Sequence, residues 1–328
     1  MATHSLFWVF LLLVTPFSGC LDLIDGVTAE GAFSRTLDVN GPMELDVSSG
    51  AGSIHVRRGA PGEVTIHGKI RVRRSSLSQA EDIVDELAQE PPIEQTGSVI
   101  RVGRMDRAEW RRNVSISYEI TVPVQTLVRA RTGSGSVDVD GVEQTVEARS
   151  GSGSVRISRV TGSVDAEAGS GSVTVTSTRG AVKAHTGSGS IRAEDVAGHF
   201  NGSTGSGSIS VEQSGPGGAS LRTGSGRITA SGVEGPLEAQ TGSGSIRVQG
   251  SPVAAWRART GSGSISLRLP PDAAFDFDGR SSSGGVSIDH PVTVTVQGRV
   301  NRKHVQGKVR GGGPLVKVET GSGSIGVE

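Results

Sequence analysis

Two carboxylates held side by side are what a glycan-cleaving or other acid–base site would need, and the sequence can be searched for them directly. Aligned on its recurring Gly-Ser-Gly-Ser motif, the chain places Asp138, Arg156, Thr174, Arg192, Ser210, Thr229, Arg247 and Ser266 in one outward row. A second outward row holds Glu147, Asp165, Lys183, Asn201, Ser220, Glu238 and Arg257. Only Glu147 beside Asp165 makes an acid pair, and with nothing else catalytic in either row it reads as two solvated carboxylates. The seven histidines include no pair three or four apart on a helix, and His185 and His199 fall at different phases of adjacent repeats, so no metal site is expected. Gly62 to Gly68 followed by Lys69 lacks the spacing and the hydroxyl residue of a phosphate loop. No Gly-x-Ser-x-Gly elbow occurs. The Gly-Ser-Gly turns could offer amides to an anion, though a tight corner explains them as well. Ice ordering would need Thr-x-Thr in every repeat, and among the regular repeats only the one holding Thr174-Val175-Thr176 carries it. The expectation is a protein without catalytic residues, cofactor or metal.

Two basic stretches remain as candidates for contact with an anionic ligand. One gathers Arg71, Arg73 and Arg74 with Arg101, Arg104, Arg107, Arg111 and Arg112; the other holds Arg299, Arg302, Lys303, His304, Lys308 and Arg310. Either could meet lipid head groups, lipopolysaccharide or acidic glycans. The alternative is a solvated face, since Asp106 and Glu109 are interspersed. Trp110 could stack on a sugar or cover a core. Across all 328 residues, 33 basic side chains balance 33 acidic ones, so the chain as a whole has no field to gather nucleic acid.

The elements that would position these groups follow from the repeat. The motif begins at Gly133, Gly151, Gly169, Gly187, Gly205, Gly224, Gly242 and Gly261, in steps of 18 or 19 residues, with a late copy at Gly321. Four places after each first glycine comes Val137, Val155, Val173, Ile191, Ile209, Ile228, Ile246 or Ile265, and two further on another apolar residue, from Val139 to Leu267. Five places before the next motif stand Val146, Val164, Val182, Phe200, Ala219, Leu237 and Trp256. A spacing of two is strand periodicity. Each copy therefore supplies two short strands, with a corner near Val142, Val160, Val196 and Val233. Stacking the copies at ~4.8 Å buries like residue over like residue.

The predicted fold is all-β: a single-stranded, right-handed parallel β-solenoid of about 18 residues per coil, on the order of 50 Å long over its regular part. The two glycines of each copy share the inward parity of the following Val or Ile. They are expected to fill the interior with backbone and to supply positive φ, while the two serines point outward. Ser and Thr residues stacked at the turns, Thr132 and Thr186 among them, are expected to hydrogen-bond to their neighbours above and below.

Less regular flanks read as caps over exposed strand edges. Residues 33–131 hold degenerate coils, among them Gly50-Ala51-Gly52-Ser53-Ile54, and one helix at 78–89 with a Ser78/Glu81 capping box and a stripe of Ala80, Ile83, Val84, Leu87 and Ala88. Residues 132–270 form the regular coils. Residues 271–328 form irregular coils and a second cap, with a polar hairpin after the Val292 to Val296 alternation, and the copy at Gly321 closes the chain.

Composition agrees: 49 glycines and 3% aromatics suit thin strands better than a helical globule. The one cysteine excludes internal disulfides. It follows Phe17-Ser18-Gly19 and an apolar run over 6–14 that is too short to span a bilayer. This arrangement resembles the lipobox of bacterial lipoproteins. The resemblance implies a signal peptide over 1–19, a lipid on Cys20, a linker over 20–32, and the outer membrane as destination, since Leu21 follows the cysteine. A plain cleaved signal is the alternative.

The strand Gly41-Pro42-Met43-Glu44-Leu45-Asp46-Val47, the turn Gly52-Ser53-Ile54-His55-Val56, the segment Tyr118-Glu119-Ile120-Thr121-Val122-Pro123 and the repeated Thr-Gly-Ser-Gly-Ser-Val turns together resemble the bacterial putative-adhesin family of β-strand-repeat envelope proteins. The resemblance covers roughly residues 33–328. It implies a parallel solenoid and an adhesive or envelope role, and brings no catalytic residues. Three functions are therefore open: a lipid-anchored adhesin presenting a Ser/Thr-rich surface to a glycan, lipopolysaccharide or protein; a periplasmic scaffold or stress-response accessory; and a glycan-active β-helix enzyme.

Overall fold

The computed structural model describes residues 26–105, 113–290, 292–293 and 303–328, whose strands form two long sheets of 14 and 15 strands. Cys20 and the leader lie outside the described residues, as do Arg107, Trp110, Arg111, Arg112, Arg299 and Arg302. The helix Leu77–Gln89 accompanies the sheets.

The apolar rows stack as their spacing predicts. In the first sheet Val137, Val155, Val173, Ile191, Ile209, Ile228, Ile246 and Ile265 are successive partners in parallel register. In the second sheet Val128, Val146, Val164, Val182, Phe200, Ala219, Leu237 and Trp256 are likewise paired. All sixteen side chains are at most 3% exposed, so both rows face a shared interior. β-branched residues suit these pleated, fully covered positions. Where the row carries a phenylalanine, a glycine two places on makes room. A Cβ on Gly202 would lie 2.7 Å from the Phe200 ring, and one on Gly279 2.6 Å from that of Phe277.

The corner between the two strands of a coil also repeats. Val142, Val160, Thr178, Val196 and Val233 point inward there, each just after a residue with positive φ: Gly141 (79°), Arg159 (53°), Ser177 (53°), Asp195 (54°) and Gly232 (68°). Three of these five are not glycine, and each carries the strain of a left-handed conformation. Side-chain hydrogen bonds from Ser214 and Ser177 hold the Asp195 carboxyl below the usual carboxylate range.

The ends depart from the order read in the sequence. The copy at Gly321 does not close the column. Its strand Leu315–Ser322 pairs in parallel with Trp256–Ser262, and Phe275–Ser281 lies outside it. The chain lays down an outer rung first and returns to fill the gap, a path that spacing alone does not encode. The N-terminal side mirrors this. Met43–Ser49 and Ile54–Arg58 pair with Thr126–Thr132 and Val137–Asp140, while Val99–Val102 and Val114–Val122 lie further out.

Antiparallel strands finish both sheets at the N-terminal end and the second sheet at the other, where the first sheet ends in the parallel strand Val286–Ile288. Val27–Asp38 pairs with Glu63–Arg74, which pairs with Val114–Val122, and at the other end His304–Val309 runs against Phe275–Ser281. Strands of opposite sense at the ends cover parallel edges that would otherwise recruit other chains. The helix packs Ala80, Val84 and Leu87 against this first cap. Its N-cap is Ser76 and makes no side-chain cap bond, so the predicted Ser78/Glu81 capping box is not formed.

Candidate functional site

The outward groups that repeat most regularly are those of the Gly-Ser corner. A threonine precedes seven of the nine motif copies, and it turns inward. Thr132 Oγ1 donates to the Gly52 carbonyl at 2.8 Å, Thr186 to Gly171 at 2.8 Å and Thr204 to Gly189 at 2.9 Å, and each hydroxyl accepts from an amide three residues on at 3.2 Å. The row continues through Thr223, Thr241, Thr260 and Thr320. The stacked hydroxyl bonding expected of these turns is present, but the threonines are buried and offer nothing to a partner. What the corner presents is serine: Ser134, Ser152, Ser170, Ser188, Ser206, Ser225, Ser243, Ser262 and Ser322 are all exposed.

The glycines serve a purpose the sequence reading misassigned. A Cβ on Gly135 would lie 2.1 Å from the Gly52 carbonyl oxygen, and one on Gly153 2.0 Å from that of Gly135. The missing side chains thus leave clearance between stacked backbones along the column axis, and do not fill the interior by inward parity. Positive φ is not the reason either, since among the motif glycines only Gly263 and Gly323 adopt it.

The acid pair lies where the alignment puts it. Glu147 and Asp165 are direct partners on neighbouring strands. Arg129 and Arg131 reach Glu147 at 3.5 and 3.8 Å, and Lys183 reaches Asp165 at 3.4 Å. Both carboxylates are thereby tied into a row of cross-strand ion pairs that also joins Arg129 to Glu44. Beside this row Ser49, Arg131, Arg149, Ser150 and Glu167 line an open depression of about 400 Å³ along the corner. His185 and His199 are both exposed, but only His199 lies between strands, as expected of a turn residue; His185 is in the strand Val182–Thr186, with its Nδ1 2.8 Å from Ser203 Oγ. Among the described residues no three of His, Cys, Asp and Glu gather as metal ligands would.

The basic candidates are not brought together. Arg71, Arg73 and Arg74 lie on Glu63–Arg74 in the N-terminal cap, where Arg71 pairs with Glu30 at 2.8 Å. Lys303 lies at the far end of the column and donates to the Ser282 carbonyl at 3.0 Å. His304 and Arg280 there share Asp278 at 3.0 and 3.1 Å. Two separate patches, one at each end, replace any single basic face.

Sequence reasoning missed the chemistry inside the N-terminal cap. Tyr118 is fully buried, packs edge-on to Phe33 at 6.4 Å, and its hydroxyl has no hydrogen-bond partner among the described residues. Burial pushes its phenol above the usual tyrosine range. A tyrosine at an inward strand position was visible in the sequence, but whether its hydroxyl would find a partner was not.

Residues 180–328 match the model of a family described as Toastrack DUF4097, which bears out the resemblance read from the repeated turns in the later coils. No curated protein matches the chain. Among solved structures it is similar to a putative lipid binding protein from Parabacteroides distasonis, at 15% identity over 90% of this chain and 96% of that one, with a TM-score of 0.36. It is also similar to a putative adhesin from Bacteroides fragilis, at 12% identity over 90% and 97%, with a TM-score of 0.31. A putative cell adhesion protein from Clostridium sporogenes aligns at 10% identity over 91% and 99%, with a TM-score of 0.20.

Proposed function

We propose, from the premise that residues 180–328 form a Toastrack DUF4097 domain, that this protein is a non-enzymatic, lipid-anchored rod of the bacterial cell envelope acting as an adhesin. Cys20 carries the lipid and the outer membrane receives it. The column winds right-handed, one rung to each 18 or 19 residues, and holds its corners away from the membrane. The observation that carries the reading is the line of exposed serines, one per copy, beside buried threonines that fix their spacing. Identical sites repeated along a rigid body turn weak contacts into avidity. The non-enzymatic part is supported by Glu147 and Asp165, which are taken up in cross-strand ion pairs with Arg129, Arg131 and Lys183.

Protease treatment of intact cells tests this reading. Digestion of the protein from outside is expected; full protection would replace the adhesin with a periplasmic scaffold or stress-response accessory. A screen on acidic polysaccharides tests the absence of catalysis. Cleavage that disappears in a Glu147→Gln, Asp165→Asn double variant would make the protein a glycan-active enzyme.

A further inference from the structure

One copy breaks the motif. Gly224-Ser225-Gly226 is followed by Arg227 where the other eight copies carry serine, as at Ser208 on the preceding rung and Ser245 on the next. Its backbone keeps the place of a serine: the Arg227 amide donates to Ser208 Oγ at 3.3 Å, and its carbonyl accepts from the Ile209 amide at 2.9 Å. The arginine is therefore not needed for the corner, and its side chain is exposed.

Arg227 begins a diagonal. Ile228, Ile246 and Ile265 are partners on three successive strands, with Arg227 one place before the first, Arg247 one place after the second and Arg268 three places after the third. One rung of ~4.8 Å and two residues of ~3.3 Å separate each arginine from the next, a step of ~8 Å. All three are exposed on the outward face of the first sheet. The other outward residues of these strands are Thr229, Ser231, Gln249 and Ser266, so no carboxylate stands among them. Among the described residues Arg227 and Arg247 form no ion pair. Arg268 has one, to Glu328 at 3.7 Å, with both side chains more than half exposed and weakly held. Other outward arginines divide: Arg192 pairs with Glu194 and Arg222 with Glu238, while Arg156 and Arg257 form no ion pair among the described residues but stand singly, not in a diagonal of three.

We propose that Arg227, Arg247 and Arg268 form a binding site for a linear acidic glycan laid obliquely across the first sheet. Guanidinium forks match carboxylate and sulfate oxygens in bidentate pairs. The intervening Thr229, Ser231 and Gln249 offer hydrogen bonds to sugar hydroxyls, and the spacing suits acid groups carried on every second sugar. This site rests on the adhesin reading above and supplies its ligand class.

The test is equilibrium binding of the purified full chain to oligogalacturonate and to dextran sulfate, with neutral dextran as control. Arg227→Ser restores the residue of the other eight copies, and Arg247→Thr gives the residue that row already holds at Thr229, so neither threatens the fold. At least one acidic glycan is expected to bind, about tenfold more weakly to the double variant, and dextran is expected not to bind. Arg257→Gln on the opposite sheet should leave affinity unchanged. Absence of binding to both acidic glycans, equal binding of dextran, or equal losses from Arg257→Gln and the double variant would overturn the site. Cell-surface digestion without glycan binding would remove this site and keep the adhesin; binding by a protein shielded in intact cells would do the reverse.

Discussion

At the scale of single residues, Tyr118 gives the sharpest expectation because it is the only tyrosine in the chain. Its hydroxyl is buried without a partner among the described residues, and an unpaired buried hydroxyl costs about 1–3 kcal/mol. Tyr118→Phe should therefore raise the melting temperature, and a lower value would show that the hydroxyl is satisfied. The folded-state pKa is raised, so the folded protein holds the phenolic proton more tightly than the unfolded chain. The stability this contributes is present below pH ~10 and falls as pH rises beyond it. Absorbance at the tyrosinate band should accordingly rise in one step with unfolding; gradual titration of the folded protein near pH 10 would contradict burial. The motif glycines make a second case. Gly135→Ala forces a Cβ against the Gly52 carbonyl and should cost about 1–3 kcal/mol, whereas Ser134→Ala on the exposed side should stay within about 0.5 kcal/mol in denaturant unfolding.

At the scale of elements, the inward hydroxyl row has one gap. Ala168 stands where Ser150 and Thr186 flank it, buried and without a hydroxyl to offer the Gly153 carbonyl. Ala168→Thr is expected to add about 1 kcal/mol, read as a higher denaturation midpoint at unchanged slope. Loss of stability would mean that the corner has no room for the larger side chain.

The regular strands were legible in the sequence because burial demands the same residue class at the same place in each rung. Val137 over Val155 over Val173 needed no other information. The ends were not legible, since pairing Trp256–Ser262 with Leu315–Ser322 depends on which rung the chain skips, and spacing is silent on that. The glycine pattern was visible while its cause was not: clearance between rungs exists only once rungs are stacked. Of the candidate site residues, Arg71 and Lys303 were found by local charge density, and their places in the two caps already set them apart. The diagonal of Arg227, Arg247 and Arg268 spans three strands and needed the register to be seen.

At the scale of the whole molecule, the parallel column carries antiparallel strands on both sheets at its N-terminal end and on the second sheet at the other, and grows by rungs in between. Removing one full rung should then leave a foldable protein. Deleting residues 169–186 joins Ala168 to Gly187 in phase with the repeat and is expected to give a shorter, cooperative and less stable column, whereas deleting nine residues from the same place should not fold. Circular dichroism and thermal unfolding compare the two. The central claim, one rung for each repeat, can be measured directly by pulsed electron spin resonance between pairs of labels at Ser134, Ser206 and Ser262 in a Cys20→Ser background. Those serines are four and seven rungs apart along the corner. Distances of about 19 Å for Ser134 to Ser206 and about 34 Å for Ser134 to Ser262, rising by ~4.8 Å per rung, are predicted. Separations that do not grow in proportion to the number of repeats would contradict the column.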